Sequence, residues 1–203
     1  MTRTVTRPFR GVSASERQRN RRQRLVDAAF DLAGTHGAAS LGVGDVCTAA
    51  GLTKRYFYES FGSIDDLGAA VVDHAIGVMV ERTGPFRPGQ PGGSVRAGIT
   101  AFIDALLDDH RLTRVLITET QAGSLSRFRG RIVEVAVASF LPFDQLAGTG
   151  PPHHRRLIAY AQIGALGEIC QAWHQGVVSL GRDELVDELV SLFGRIAGGD
   201  HGG

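Results

Sequence analysis

Cysteine is nearly missing from this sequence: Cys47 and Cys170 are the two thiols in 203 residues, far apart and without the close spacing of metal ligands. A disulfide framework and a zinc site therefore have no foundation, and two buried reduced thiols are expected. Long apolar runs are lacking as well. No stretch of roughly eighteen uncharged apolar residues is available to cross a bilayer, and the N-terminus has no apolar segment of the secretory kind, so the expected location is the cytoplasm. Convincing strand alternation and internal repeats are also absent. The cluster "HHRR" at 153–156 follows "GTGPP" at a helix start, with no nucleophile, glycine loop or acidic partner at a recognisable spacing. Catalysis is not expected, nor is a cofactor or a metal.

Lysine is rarer still, with Lys54 alone, yet positive charge is concentrated where arginine supplies it. Net charge is +1 overall. Residues 1–24 nevertheless hold eight arginines (Arg3, Arg7, Arg10, Arg17, Arg19, Arg21, Arg22 and Arg24) against Glu16. Residues 1–62 carry +5 and the remainder −4. A basic end on a near-neutral chain points to a polyanionic partner for that end alone. A solvated tail or an Arg- and Ser-rich transit peptide is the competing reading.

Residues 1–14 have no apolar period and read as a flexible basic arm. Capping boxes at "SASE" and "SERQ" then precede Leu25, Ala28, Ala29, Leu32 and Ala33, whose spacing predicts an amphipathic helix closed near Gly37. "VGDVCTAA" predicts a short second helix with Val46, Ala49 and Ala50 inward, stopped by Gly51. A third follows in "GLTKRYFYESFG", residues 51–62, which crowds four rings beside Lys54 and Arg55. At about 100° per residue Phe57 and Phe61 share the buried side, while Arg55, Tyr56 and Glu59 point away. Two short helices joined across a glycine, the second rich in exposed polar groups, have the proportions of a helix-turn-helix. "SIDD" caps a fourth helix with apolar positions Leu67, Val71, Val78 and Met79. The segment 83–94, dense in proline and glycine, is a loop. Further helices are predicted over 94–109, 111–122, 126–141, 152–175 and 183–197.

The stretch "RRQRLVDAAFDLAGTHGAASLGVGDVCTAAGLTKRYFYESFGSIDDL", residues 21–67, resembles the DNA-binding domain of the TetR family of transcriptional regulators, most specifically in "AAGLTKRYFYESFGSIDDL". Looser similarity continues in "HRLTRVLITETQAG" and "GEICQAWHQG". The resemblance implies an all-α homodimer with a three-helix DNA-binding domain over 15–62 and a larger helical effector-binding and dimerisation domain over 63–203. It implies DNA contacts by Gly42, Val43, Gly44, Thr53, Lys54, Arg55, Tyr56 and Tyr58 on an approximately palindromic operator. Two positions depart from the family pattern. Gly42 stands where Ser or Thr usually caps the second helix, and Ile64 stands where a lysine is common. The basic arm is a candidate to compensate by tracking the backbone or entering the minor groove.

Helices 152–175 and 183–197 are the expected dimer seam. The first is lined with small residues (Ala159, Ala161, Gly164, Ala165, Gly167, Ala172) and the second carries Leu185, Leu189, Leu192, Phe193 and Ile196. Packing within one chain is the alternative. A largely apolar small-molecule effector is expected among Met79, Phe102, Leu106, Leu116, Glu119, Phe128 and Tyr160. Glu119 sits at a helical interval from Leu112, Val115 and Leu116, so an internal arginine, a backbone donor or a polar ligand group must satisfy it. His74 and His110 carry a similar ambiguity. The resulting expectation is a ligand-released repressor; the alternative is a dimeric DNA-binding regulator without small-molecule control.

Overall fold

The computed structural model describes residues 13–84, 94–142 and 144–198, with backbone only for Asp144 and Gln145. The expected basic arm, up to residue 12, and most of the 83–94 loop lie outside the described residues. What is described is all helical, with no strand among those residues.

Helix α1, Ala14–His36, starts where the first capping signal predicts: the Ser13 hydroxyl accepts from the Glu16 amide at 3.1 Å. It ends at Gly37, whose φ of 89° a β-carbon would disfavour. Leu25, Ala28, Ala29 and Ala33 are buried, joined by Val26 and Phe30, while residues 14–20 stand exposed. Helices α2 (Val43–Ala50) and α3 (Lys54–Ser60) follow, turned by Gly51 in the left-handed region at φ 61°, ψ 39°. One detail of α2 departs from expectation. Ala49 is exposed rather than inward, because α2 packs against both α1 and α3 and its inner face is turned accordingly; Cys47 is buried, as expected of both thiols.

Helix α4 (Ile64–Thr83) is capped by Ser63, whose hydroxyl accepts from Asp66 N at 3.1 Å. It packs against α1 and then against α5 (Val95–Asp108), and so joins the two ends of the molecule. Helix α6 (His110–Thr113) passes directly into a π-helical segment, Arg114–Glu119, which the sequence gives no sign of. After a 3-10 turn at Ser126–Phe128 come α7 (Arg129–Phe140), the short α8 (Asp144–Ala147), α9 (Pro152–His174) and α10 (Arg182–Ala197). One continuous core runs from Leu25 and Phe57 through Leu67 and Val71 to Leu189 and Phe193.

The expected dimer stripe on α10 needs correction. Leu185, Leu189 and Phe193 are buried against the chain's own α5 and α8, so they are not available to a second copy; Leu192 and Ile196 remain half-buried. Gln162 of α9, fully buried, donates through Nε2 to Phe193 O at 3.0 Å and pins the two helices together. The outer side of α9 is different: Leu157 and Ala161 are exposed, and a side chain at Gly164 would meet open space.

Candidate DNA-reading face and internal cavity

Phe57 and Phe61 are buried with ring centroids 5.9 Å apart, and this anchor presents the rest of α3 outward. Lys54 and Arg55 are exposed in its first turn, Tyr58 is 61% exposed and Tyr56 is half-buried. Thr53 precedes the helix in extended geometry, and its hydroxyl makes no capping bond. Gly42, Val43 and Gly44 form the N-terminus of α2 nearby; an added β-carbon on Gly44 would lie 4.0 Å from Lys54 Cε. Seven of the eight expected contact residues thus flank two neighbouring helix N-termini, with Tyr58 a turn further along α3 and Val43 packed against the core. Such termini attract phosphate through oriented amides and the helix dipole.

Arginines of α1 complete this face, and sequence reasoning passed over them as mere charge. Arg24 donates to Ala50 O at 2.6 Å and so holds the turn between α2 and α3. The Arg21 guanidinium lies 4.6 Å from the Tyr56 ring centroid and 3.7 Å from Glu59, while Arg55 donates to Glu59 at 2.9 Å. Glu59 therefore aligns two cations on the reading face, and Tyr56 is held from behind. The i, i+3 spacing of Arg21 and Arg24 on one side of α1 was the available signal. Beneath the face, burial raises the Cys47 thiol above its ordinary range, with Lys54 opposing the shift.

A cavity of about 430 Å³ opens at the other end of α4, walled by α4, α5, the π-helical segment, α7 and α9. Met79, Phe102 and Leu116 line it as expected, together with Ile76, Ile117 and Ile163. The other four expected residues do not. Leu106 is buried in the core. Glu119 turns away: its Oε2 accepts from Ser124 N at 3.2 Å, and its Oε1 lies 4.0 Å from Arg114 Nε. The π-helical pairing explains this, since more residues per turn than in an α-helix rotate Glu119 off the stripe that Leu112 begins. Phe128 packs beside Gly68 of α4, where a β-carbon would come within 3.3 Å of its ring. Tyr160 belongs to a separate cluster along α7, its hydroxyl bonded to Glu134 and 3.2 Å from Arg156. Neither ambiguous histidine lines the cavity: His74 stacks edge-on against Phe30, centroids 5.2 Å apart, and His110 is exposed.

Polar clamps tie the cavity walls to α1 and hold α6 against the far end of α4. Arg114, on the π-helical segment that supplies Leu116 and Ile117 to the cavity, donates to Thr35 O of α1 at 3.0 Å. Asp109, 5% exposed, caps α6 by accepting from Arg111 N at 3.1 Å. It also accepts from the Arg111 side chain at 2.7 and 2.8 Å and from Arg82 of α4 at 3.1 Å. The Arg111 hydrogen bonds hold its carboxyl below the ordinary value, and burial opposes them.

A helix-turn-helix on a three-helix unit, with a larger helical part behind it, defines a DNA-binding transcriptional regulator. Residues 25–71 match the family model described as bacterial regulatory proteins, tetR family. The fold is similar to a TetR-like transcriptional regulator from Rhodococcus sp. RHA1, at 25% identity over 89% of this chain and 97% of that one, with a TM-score of 0.58. It is also similar to a TetR-family regulator from Streptomyces coelicolor (21% identity, 88% and 80% covered, TM-score 0.67). A third likeness is to the fatty acid degradation regulator FadR from Bacillus halodurans (17%, 89% and 96%, TM-score 0.62). Residues 25–71 thus carry a DNA-binding domain of the TetR-family type, and the chain shares the fold of TetR-family transcriptional regulators. Among the described residues no helix is long and apolar enough to cross a membrane.

Proposed function

We propose that the protein is a cytoplasmic homodimeric repressor that a small apolar effector releases from an approximately palindromic operator. The observation that carries this reading is the course of α4. Its first half, with Leu67 and Val71 buried, belongs to the core shared with α1; its second half supplies Ile76, Met79 and Val80 to the cavity. A molecule wedged against the second half displaces a rigid rod whose other end carries the reading face. In a dimer, two recognition helices must fit successive grooves at a fixed separation, so a small rotation of each rod is enough to lose one of the two fits.

In this reading Lys54 and Tyr58 meet phosphates, Arg55 reaches a base edge, and Tyr56 offers its ring to a thymine methyl or sugar. Thr53 contributes its hydroxyl, and Gly42, Val43 and Gly44 bring backbone amides to the phosphates. The exposed side of α9 around Leu157, Ala161 and Gly164 is the seam for the second copy. Residues 15–62 act as the DNA-binding domain, residues 63–203 as the effector-binding and dimerisation domain, and residues 1–14 as a basic arm. A dimeric DNA-binding regulator without small-molecule control is the alternative.

The test is to map the bound sites genome-wide and measure fluorescence anisotropy on the recovered duplex and on a scrambled one. Tight binding to the first by a dimer, and weak salt-sensitive binding to the second, is expected. Equal affinity for both sinks the specific-regulator reading.

A further inference from the structure

We propose that the cavity selects an uncharged ligand with an apolar body and one hydrogen-bond donor, such as an alcohol or a phenol. This rests on the effector reading above and adds the chemical class of what is bound. Among the described residues the lining contains no Asp, Glu, Lys, Arg or His. An ion entering it would lose its hydration with no described group to replace it. The neighbouring charges are engaged elsewhere: Glu119 with Ser124 N, Glu134 with Arg156 and Tyr160, Arg114 with Thr35 O, and Asp109 with Arg111 and Arg82. At about 430 Å³ the space suits a compact small molecule.

The two hydroxyls in the lining set the polarity of the ligand's single polar group. Thr83 Oγ1 donates to Met79 O at 2.9 Å, and Ser139 Oγ donates to Val135 O at 2.9 Å. A carbonyl oxygen only accepts, so each hydroxyl's one proton is committed and its oxygen keeps acceptor capacity alone. Both residues also lie in the last turn of their helices, α4 and α7, where the helix dipole presents its negative end. A ligand O–H or N–H finds acceptors there, an ether or ketone oxygen finds no donor from these two groups, and a carboxylate meets repulsion. A quaternary ammonium meets the favourable end of the dipole but brings a hydrated charge and no proton. The expected order is therefore alcohol first, with ether and ammonium behind it and carboxylate last.

The full-length protein is loaded with N-phenylnaphthylamine, a neutral apolar dye that brightens on leaving water, and the dye is displaced with decanol, its methyl ether, decanoate and decyltrimethylammonium. Decanol should displace it at least about tenfold more effectively than either ion, and about fivefold more effectively than the ether, the worth of one neutral hydrogen bond. Decanoate or the ammonium competing as well as decanol overturns the ligand class while leaving a working effector cavity. A dye that neither binds nor is displaced by any of the four overturns the effector cavity itself. Ser139 is exposed on α7, so Ser139→Arg should keep the helical circular dichroism of the wild type and raise decanoate affinity about tenfold by giving it a charged partner. Unchanged decanoate affinity in that variant means the dye reports another place on the protein, and the assignment to this cavity falls.

Discussion

Replacing Asp109 by asparagine should destabilise the protein by about 1.5–3 kcal/mol, the worth of a hydrogen bond to a charged group. The side chain is 5% exposed and joins α6 to α4: it caps α6, grips Arg111 of that helix twice and receives Arg82 from α4. Asparagine keeps the cap and one acceptor oxygen, but turns an amide NH₂ toward donors that need a carboxylate. The loss stays below the full cost of orphaning a buried charge, because the Arg111 and Arg82 side chains are each 36% exposed and water reaches them. Asp109→Ala removes the cap as well and should cost about 1 kcal/mol more. For a chain of this length the asparagine variant should lower Tm by roughly 3–12 °C. The dependence on pH isolates the cause. The carboxyl's folded pKa is held below its ordinary value, so its stabilisation is complete above the unfolded value of about 3.9 and disappears as pH falls through the folded one. Thermal or urea unfolding of wild type and Asp109→Asn should therefore differ fully above about pH 4, and the gap should close as pH falls from there through the lower folded value. A gap that stays constant down to the acid limit of folding would refute the charge-based account of this junction.

Two glycines should respond with opposite signs. Gly51→Ala forces a β-carbon into left-handed backbone, 3.1 Å from the Arg24 guanidinium that holds the turn, and should cost about 1–2 kcal/mol in a denaturation curve. Gly77→Ala lies inside α4 with nothing within 4 Å of the new atom, and should add about 0.5–1 kcal/mol in the same assay. On DNA, Arg55→Ala should weaken specific binding by about 1–3 kcal/mol and relax preference at one base pair, whereas Tyr58→Phe should weaken all sequences alike; anisotropy on single-base operator variants separates the two.

The sequence displays its local chemistry openly. Ser13 and Ser63 cap the helices that their capping signals predicted, Gly37 and Gly51 end α1 and α2, and α5, α9 and α10 differ from expectation by a residue or so at either end. Phe57 and Phe61 are buried while Arg55 and Glu59 are exposed, as a 100° period predicts, and Tyr56 is half-buried. The features that escaped depend on partners distant in sequence. Ala49 is exposed because α2 turns its inner face to both α1 and α3, and Tyr160 swings toward α7 because Glu134 and Arg156 flank it. Leu185, Leu189 and Phe193 form a stripe that fits a dimer seam or an internal core equally well, and only the position of α5 and α8 distinguishes them. Glu119 has the backbone donor and the arginine that its burial called for, and only its expected place in the cavity lining fails, for another reason. A π-helical segment changes the rotation per residue, and nothing in "RVLITE" announces one.

The central claim is that the cavity and the DNA-reading face are coupled through α4, and the most direct test is a reciprocal titration. An effector from the cavity screen is titrated into the protein free and bound to its operator, and operator affinity is measured with and without saturating effector. Driving the dimer from mostly competent to mostly incompetent takes a preference on the order of 10⁴-fold, about 5.5 kcal/mol. Linkage requires the operator to weaken effector binding by the same factor that the effector weakens operator binding. Two equal factors well above one are the predicted result. An effector that fills the cavity yet binds free and DNA-bound protein with the same affinity would contradict the account.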